Sequence, residues 1–265
     1  MNTLVKKKSL YGEDLWQEIR KEAEESARAE PILASFLHMT VLRHQTLNQV
    51  LAFHLSSKLS SPVMDARALY EIFLHSLQES PQLGEAIEAD ILAHYERDPA
   101  CSMFSTPLLY FKGFHAIETH RINHWLWHHS RRPLSYCIQN RASEVFGVDI
   151  HPAARFGSGI MVDHGTGLVV GETAVLGNNI SILHGVTLGG SGKETGDRHP
   201  KVGNGVMIGA NASVLGNINI GECARIGAGS VVVYDVPPHS TVVGVPAHVV
   251  GSSEQIPATE MNQRL

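Results

Sequence analysis

The sequence predicts an α+β protein: an all-α N-terminal region followed by a C-terminal solenoid of short parallel β-strands. Three observations carry this. Only three of the 24 glycines (Gly12, Gly84, Gly113) precede residue 147, and the other 21 lie from Gly147 to Gly251. Apolar residues before that divide recur at three- and four-residue steps, the helical period. After it they recur every six residues, which fits neither a helix nor a hairpin-linked strand. The expected units are residues 1–146, 147–250 and a short polar tail, 251–265, expected to be flexible.

In the first unit Asp14 is placed to N-cap a helix over Leu15–Ala29, with Trp16, Ile19 and Ala23 on one face. Pro31 is placed to start a second, whose apolar residues run from Leu33 through Phe36, Val41 and Val50 to Leu55. Ser60-Ser61-Pro62 interrupts it, and Asp65–Ser80 and Gly84–Arg97 read as further helices with Pro81 and Pro99 as stops. Pro107–Ser130 reads as a long aromatic-rich helix and Pro133–Phe146 as the last.

In the second unit, Ile150, Phe156, Val162, Leu168, Ala174, Ile180 and Val186 keep a six-residue step, which resumes at Val202, Ile208, Val214, Ile220, Ile226 and Val232. Another set, beginning Val170, Leu176, Ile182, Leu188, runs two residues away, and the phase is ambiguous across Val162–Leu168. Three six-residue flats make a triangular coil, with an aliphatic side chain per flat filling the prism and glycine at tight corners. About five coils fit between Ile150 and Val250.

Composition narrows the classes. With 43% hydrophobic and 18% charged residues the chain can bury a core. A net charge of −5 disfavours general nucleic-acid binding. No 18-residue apolar run is present, so no membrane span is expected. Lys6, Lys7 and Lys8 precede no apolar segment, so no secretory signal is expected. Cys101, Cys137 and Cys223 form no metal or disulfide pattern, which fits a reducing cytoplasm.

A regular solenoid is scaffold, so chemistry is sought where the repeat departs from regularity. The departures are Asp149-Ile150-His151-Pro152, Val162-Asp163-His164-Gly165-Thr166-Gly167, and the polar loop Leu188–Lys201. His164 suits a general base, with a turn cap as the alternative. Asp149, fifteen residues earlier and close to one coil away, is placed to stack near it and orient the ring. Asp163 is adjacent in sequence and, on a strand, would point the other way. Arg198 and His199 suit a carboxylate clamp, with a solvated loop tip as the alternative. His120, His124 and His128 share one helix face but lack the Glu of HExxH, so packing is favoured over metal. His151, His164, His184 and His199 leave open a metal site shared between copies.

These motifs resemble the bacterial serine acetyltransferase family along nearly the whole chain. The resemblance rests on Glu30–Phe36, Lys58–Pro62, Arg97–Ala100, Ser105–Tyr110, Asp149–Ala154, Val170–Ala174 and Val186–Lys201. It implies a left-handed parallel β-helix and transfer of acetyl from acetyl-CoA to the L-serine hydroxyl, the first committed step of cysteine biosynthesis. It implies His164 as base with Asp149 as its carboxylate partner, and Asp98, Asp163, Arg198 and His199 around the amino acid. It implies acetyl-CoA against Gly190, Ser191, Ala210, Arg225 and Ala228, with no metal. It implies L-cysteine as feedback inhibitor and a hexamer of two trimers joined through the helical regions, each site lying between two solenoids. Gly165 stands where the family often has alanine, a small change beside the base. Many members bind O-acetylserine sulfhydrylase through a terminal isoleucine; this sequence ends Asn262-Gln263-Arg264-Leu265, so weak or no binding is expected. A low-micromolar dissociation constant by calorimetry would overturn that expectation. The competing readings are a sugar or xenobiotic acetyltransferase, a trimeric zinc enzyme of carbonic-anhydrase type, and a non-catalytic scaffold.

Overall fold

The computed structural model describes residues 10–192, 195–252 and 255–263. Helix α1 (Gly12–Ala29) starts before Asp14, which lies in the first turn facing the positive helix end. The helix expected from Pro31 to Leu55 is broken in two. Pro31–Leu33 is a 3-10 turn, α2 (Ala34–Leu37) runs into a π-turn at His38–Leu42, and α3 (Leu47–Leu59) restarts after Thr46. The run Arg43-His44-Gln45-Thr46 interrupts the apolar stripe, and the Thr46 hydroxyl caps the new helix by accepting the Gln49 N–H at 3.3 Å.

Helix α4 (Ala66–Glu79) is capped by Asp65, and α5 (Pro81–Arg97) begins on Pro81, which therefore ends one helix and opens the next. The long helix expected over Pro107–Ser130 is two: α6 (Ser105–Tyr110) and α7 (Lys112–His128), parted by extended backbone at Phe111. The buried Glu22 carboxylate of α1 accepts the N–H groups of Phe104 and Ser105 at 3.1 and 2.8 Å, so a long-range acceptor starts α6. Helix α8 (Arg132–Phe146) ends at Gly147, whose φ of 68° suits a residue without Cβ.

The solenoid follows at once. Its first coil is β1 (Asp149–Ile150), β2 (Arg155–Phe156) and β3 (Met161–Val162); its second is β4 (Val169–Val170), β5 (Val175–Leu176) and β6 (Ser181–Ile182). Then come β7 (Thr187–Gly189), β8 (Lys201–Val202), β9 (Met207–Ile208), β10 (Ser213–Leu215), β11 (Asn219–Ile220), β12 (Arg225–Ile226) and β13 (Val231–Val232). Strand β14 (Ser240–Gly244) turns back as antiparallel β15 (Ala247–Ser252). Through β13 every third strand pairs in parallel and β14 stacks on β12, giving three sheets around one prism, the architecture of a left-handed β-helix. One continuous apolar core runs from Leu15 in α1 to Val242 in β14. Among the described residues no helix is long and apolar enough to cross a membrane.

The register explains the ambiguous phase. Asp149 pairs with Val169, twenty residues on, whereas Val169 pairs with Thr187, eighteen on. The first coil therefore holds two extra residues, in the turn Asp163–Leu168. Past it, the strand positions are Val170, Leu176, Ile182 and Leu188, while Leu168, Ala174, Ile180 and Val186 fill the corners. The two six-residue sets exchange places there. Val175 pairs with Lys201, which puts eight extra residues in the loop after Gly189.

Helices and solenoid meet through buried charge. Arg121 Nε and Nη2 donate to Asp90 Oδ2 at 2.9 and 2.6 Å, and Nη2 also donates to the Gly157 carbonyl at 2.7 Å. Asp90 Oδ1 accepts the Ile160 N–H at 2.7 Å. Burial, then the Asp90 charge, pushes the neighbouring Glu118 carboxyl, 3.5 Å from Arg121 Nε, well above its usual range. Arg97 donates to the carbonyls of Gly159 and Ile180 and to Ser181 Oγ and Asn179 Oδ1. Gly113 of α7 sits so close to β3 that a Cβ there would lie 2.2 Å from the Val162 carbonyl oxygen.

The residues beyond 251 do not all form the free tail expected. Helix α9 (Pro257–Glu260) lies back on the solenoid with Pro257 and Ala258 buried. Ser181 Oγ donates to the Ala258 carbonyl at 2.8 Å and Arg225 pairs with Glu260 at 3.1 Å. Leu265, on which the sulfhydrylase expectation turned, lies outside the described residues.

A pair of core histidines makes stability depend on acid. His54 and His115 meet edge to face at 4.9 Å between ring centres, each held by a backbone carbonyl of α6. Burial, then the Lys58 charge, lowers His54 to about 4; burial, then His54, lowers His115 to about 3. The unfolded chain takes up these protons below its ordinary value of 6.5, and the folded chain refuses them until far lower pH. The melting temperature is therefore expected to fall as pH drops from 6.5 towards 4, and His115→Phe to flatten that slope. A melting curve independent of pH across that range would contradict this.

Candidate active site

Each coil has three corners, and the singled-out residues gather at two of them. At the corner after β3, Asp163 and His164 line a pocket of about 520 Å³ with Asp98, His94, Lys112 and His184. Asp98 ends α5 and accepts the Ala100 N–H at 2.8 Å, while Lys112 opens α7 and donates to Thr166 Oγ1 at 2.5 Å. His164 has φ 57°, and Gly165 N–H bonds back to the Asp163 carbonyl at 2.6 Å, so the ring is carried on a tight γ-turn. That turn overrides the alternation expected of a strand. It brings His164 Nε2 to 3.6 Å from Asp163 Oδ1, with the His164 side chain 74% exposed. His184, one coil up, faces it at 6.1 Å between ring centres.

The other group lies at the corner after β1. Arg198 Nη2 pairs with Glu172 at 2.8 Å, and the Thr173 hydroxyl accepts the N–H groups of Arg198 and His199 at 3.0 and 3.1 Å. His199 is only 6% exposed, so this segment is not a solvated loop tip. Lys201 Nζ pins it from below, donating to Asp197 Oδ1 and the His199 carbonyl, both at 2.6 Å. His151 stands at the same corner, its ring edge-on to Trp127 at 5.2 Å. Burial lowers its pKa, against the opposing charges of Glu172 and Asp149.

Asp149 belongs with this second group and does not stack on His164. The coil here is twenty residues, so the partner of Asp149 is Val169. Its carboxylate accepts from Gln139 Nε2 at 2.8 Å. Among the described residues no hydrogen bond or ion pair joins His164 to Asp149, Arg198 or His199. The residues that the resemblance assigns to acetyl-CoA divide the same way. Gly190 and Ser191 follow β7 on the Arg198 side; Ala210 and Ala228 follow β9 and β12 on the His164 side, with Arg225 on β12.

Helix α7 uses its histidines for packing. His120 is buried against the Phe156 ring at 4.8 Å, and His124 Nδ1 donates to the Pro152 carbonyl at 2.8 Å. Among the described residues no three His, Cys, Asp or Glu side chains converge as a metal site. Sequence reasoning gave no role to Lys112, His94, Glu172, Thr173 or Lys201; only the corner geometry gathers them. For His184 a signal existed, since it lies one twenty-residue coil after His164.

Two family models match: serine acetyltransferase, N-terminal, over residues 15–119, and bacterial transferase hexapeptide (six repeats) over residues 199–233. The serine acetyltransferase of Haemophilus influenzae is 54% identical over 251 residues, 94% of each chain. The chain belongs to the serine acetyltransferase family. Three solved serine acetyltransferases share its fold. One from Neisseria gonorrhoeae in complex with serine is 68% identical with a TM-score of 0.88, covering 90% of this chain and 97% of that one. One in complex with cysteine is 54% identical with a TM-score of 0.94, covering 95% and 98%. One from Brucella abortus in complex with coenzyme A is 50% identical with a TM-score of 0.90, covering 91% and 97%. As serine acetyltransferases, these relatives match the helical region as well as the solenoid. That breadth separates the family from other six-residue-repeat transferases.

Proposed function

We propose that this chain transfers acetyl from acetyl-CoA to the hydroxyl of L-serine, in sites built between adjacent copies. The observation that carries the reading is the division of the candidate residues between two corners of one prism. An amino acid needs groups for its ammonium, its carboxylate and its reacting hydroxyl. Asp98, Asp163 and His164 supply carboxylates and a base at one corner; Arg198 and His199 supply cationic and donor groups at the other. Two copies side by side place one corner of each in a shared cleft, and a closed ring of three repeats that contact. Acetyl-CoA would lie higher along the same seam, between Gly190 and Ser191 of one copy and Ala210, Arg225 and Ala228 of the next.

In the proposed reaction His164 Nε2 takes the serine hydroxyl proton as the oxygen bonds to the thioester carbonyl carbon. The tetrahedral adduct collapses by breaking the carbon–sulfur bond. The departing CoA thiolate takes the proton from His164, which restores the base. Asp149 of the neighbouring copy is the carboxylate that steadies the charged ring. L-cysteine carries the same ammonium and carboxylate, so it would compete for the same groups and inhibit. A hexamer, two such rings joined through the helical regions, is the proposed assembly, tested by sedimentation.

The test is thiol release from acetyl-CoA with L-serine as acceptor, repeated with added L-cysteine. Serine-dependent turnover suppressed by cysteine is the expected result. Folded protein that acetylates only other hydroxyl acceptors would overturn the reading. Arg198→Ala should raise the Michaelis constant for serine about tenfold or more, as expected for a lost charged hydrogen bond, with kcat changed less. A change confined to the acetyl-CoA constant would remove Arg198 from the carboxylate.

A further inference from the structure

The corner that holds Arg198 and His199 contains one residue with more hydrogen bonds than its size suggests. Thr173 Oγ1 accepts the N–H groups of Arg198 at 3.0 Å and of His199 at 3.1 Å. With both acceptor positions used, its own O–H is left to donate, with His199 Nδ1 2.9 Å away and the Asp197 carboxylate as the other acceptor in reach. The Thr173 backbone N–H converges on the same Nδ1 at 3.2 Å. The backbone N–H can only donate, so that nitrogen must be bare, the hydroxyl beside it can add a second donor, and the ring proton is on Nε2.

The far edge of the ring is packed against Gly171, where a Cβ would come within 1.9 Å of His199 Nε2. Lys201 ties the same turn down by donating to the Thr173 carbonyl at 3.1 Å as well as to the His199 carbonyl. Charging the ring would require a proton on Nδ1, facing the Thr173 N–H. Burial, then the adjacent Arg198 charge, lowers the His199 pKa in the same sense, with Glu172 opposing and Lys201 and His151 assisting.

We propose that Thr173 is a positioning residue that holds His199 in the tautomer with its proton on Nε2, so that His199 donates a hydrogen bond to the carboxylate of the amino-acid substrate. The proposal rests on the site described above and deepens it. It makes His199 a donor beside the Arg198 guanidinium and removes it as a second proton acceptor. It also gives Thr173 control over both clamp residues.

The decisive measurement is the ¹⁵N spectrum of histidine-labelled protein, with the His199 signal assigned by its loss in His199→Gln. A bare Nδ1 and a protonated Nε2 are expected in the unmodified protein. Thr173→Val keeps the shape and loses the hydroxyl; it should mix the two His199 tautomers and raise the Michaelis constant for serine about tenfold, with kcat changed less. Thr173→Ser restores the hydroxyl and should stay within about twofold of the parent in both constants. A protonated Nδ1 in the unmodified protein overturns the proposal. So does an unchanged serine constant in Thr173→Val while Arg198→Ala raises it, which would leave the proposed site standing. If neither variant moves the serine constant, the site assignment fails and this proposal fails with it.

Discussion

Replacing His164 with alanine is expected to lower turnover at least about a hundredfold, the scale of a lost general base, with little change in the Michaelis constant for serine. The ring has the geometry for the role. It sits on a strained γ-turn that thrusts it from the coil, 3.6 Å from a carboxylate and 74% exposed. Backbone strain of that kind persists where the surroundings hold it, and it gathers at reactive sites. A near-normal rate would end the assignment. The same variant also tests the shared site. When His164→Ala and Arg198→Ala chains are co-assembled, a random mixture restores both groups to about a quarter of the contacts between neighbours. Activity at low serine should rise accordingly, well above that of either variant alone. If one chain held the whole site, mixing would restore nothing.

Asp90→Ala is expected to cost about 3–5 kcal/mol, the usual result of removing one partner from a buried ion pair. Asp90 is fully buried and satisfies Arg121 through one oxygen and the Ile160 N–H through the other. Its loss removes both close charged hydrogen bonds of the 6% exposed guanidinium, leaving the Gly157 carbonyl and the more distant Glu118, and strands the Ile160 N–H. The denaturant midpoint should drop sharply, and the double variant Asp90→Ala, Arg121→Met should recover part of the loss because no uncompensated charge stays buried. A midpoint unchanged by Asp90→Ala would show that the join does not depend on this pair.

The divide near residue 147 and the six-residue rhythm were readable because each follows from local rules: glycine at tight corners, one aliphatic per flat. The helix breaks were not, because their causes are distant. Glu22 starts α6 from more than eighty residues away. The expected stacking of Asp149 on His164 failed on arithmetic, since fifteen residues fall short of a regular coil of eighteen and further short of this one, which holds twenty. Sequence alone marked Asp163, His164, Arg198 and His199 as departures from the repeat. It gave no sign that they occupy different corners, because corner identity needs the coil length as well as the period. Thr173 passed unnoticed because its contribution is made to residues 25 and 26 positions later.

Gln139, Arg97, Arg121, Asp90 and His124 all spend side-chain polar atoms on the first coil, at Asp149, Gly159, Gly157, Ile160 and Pro152. A parallel strand stack otherwise presents its terminal rung as a template for another chain. At this end the rung is covered: helices engage the turn carbonyls of Pro152, Gly157 and Gly159 and the Ile160 N–H, and so stand where a foreign strand would have to dock. At the opposite end β15 runs antiparallel to β14 and breaks the stacking direction. A rod built from a repeat that has no intrinsic length limit is thereby kept from fibrous growth.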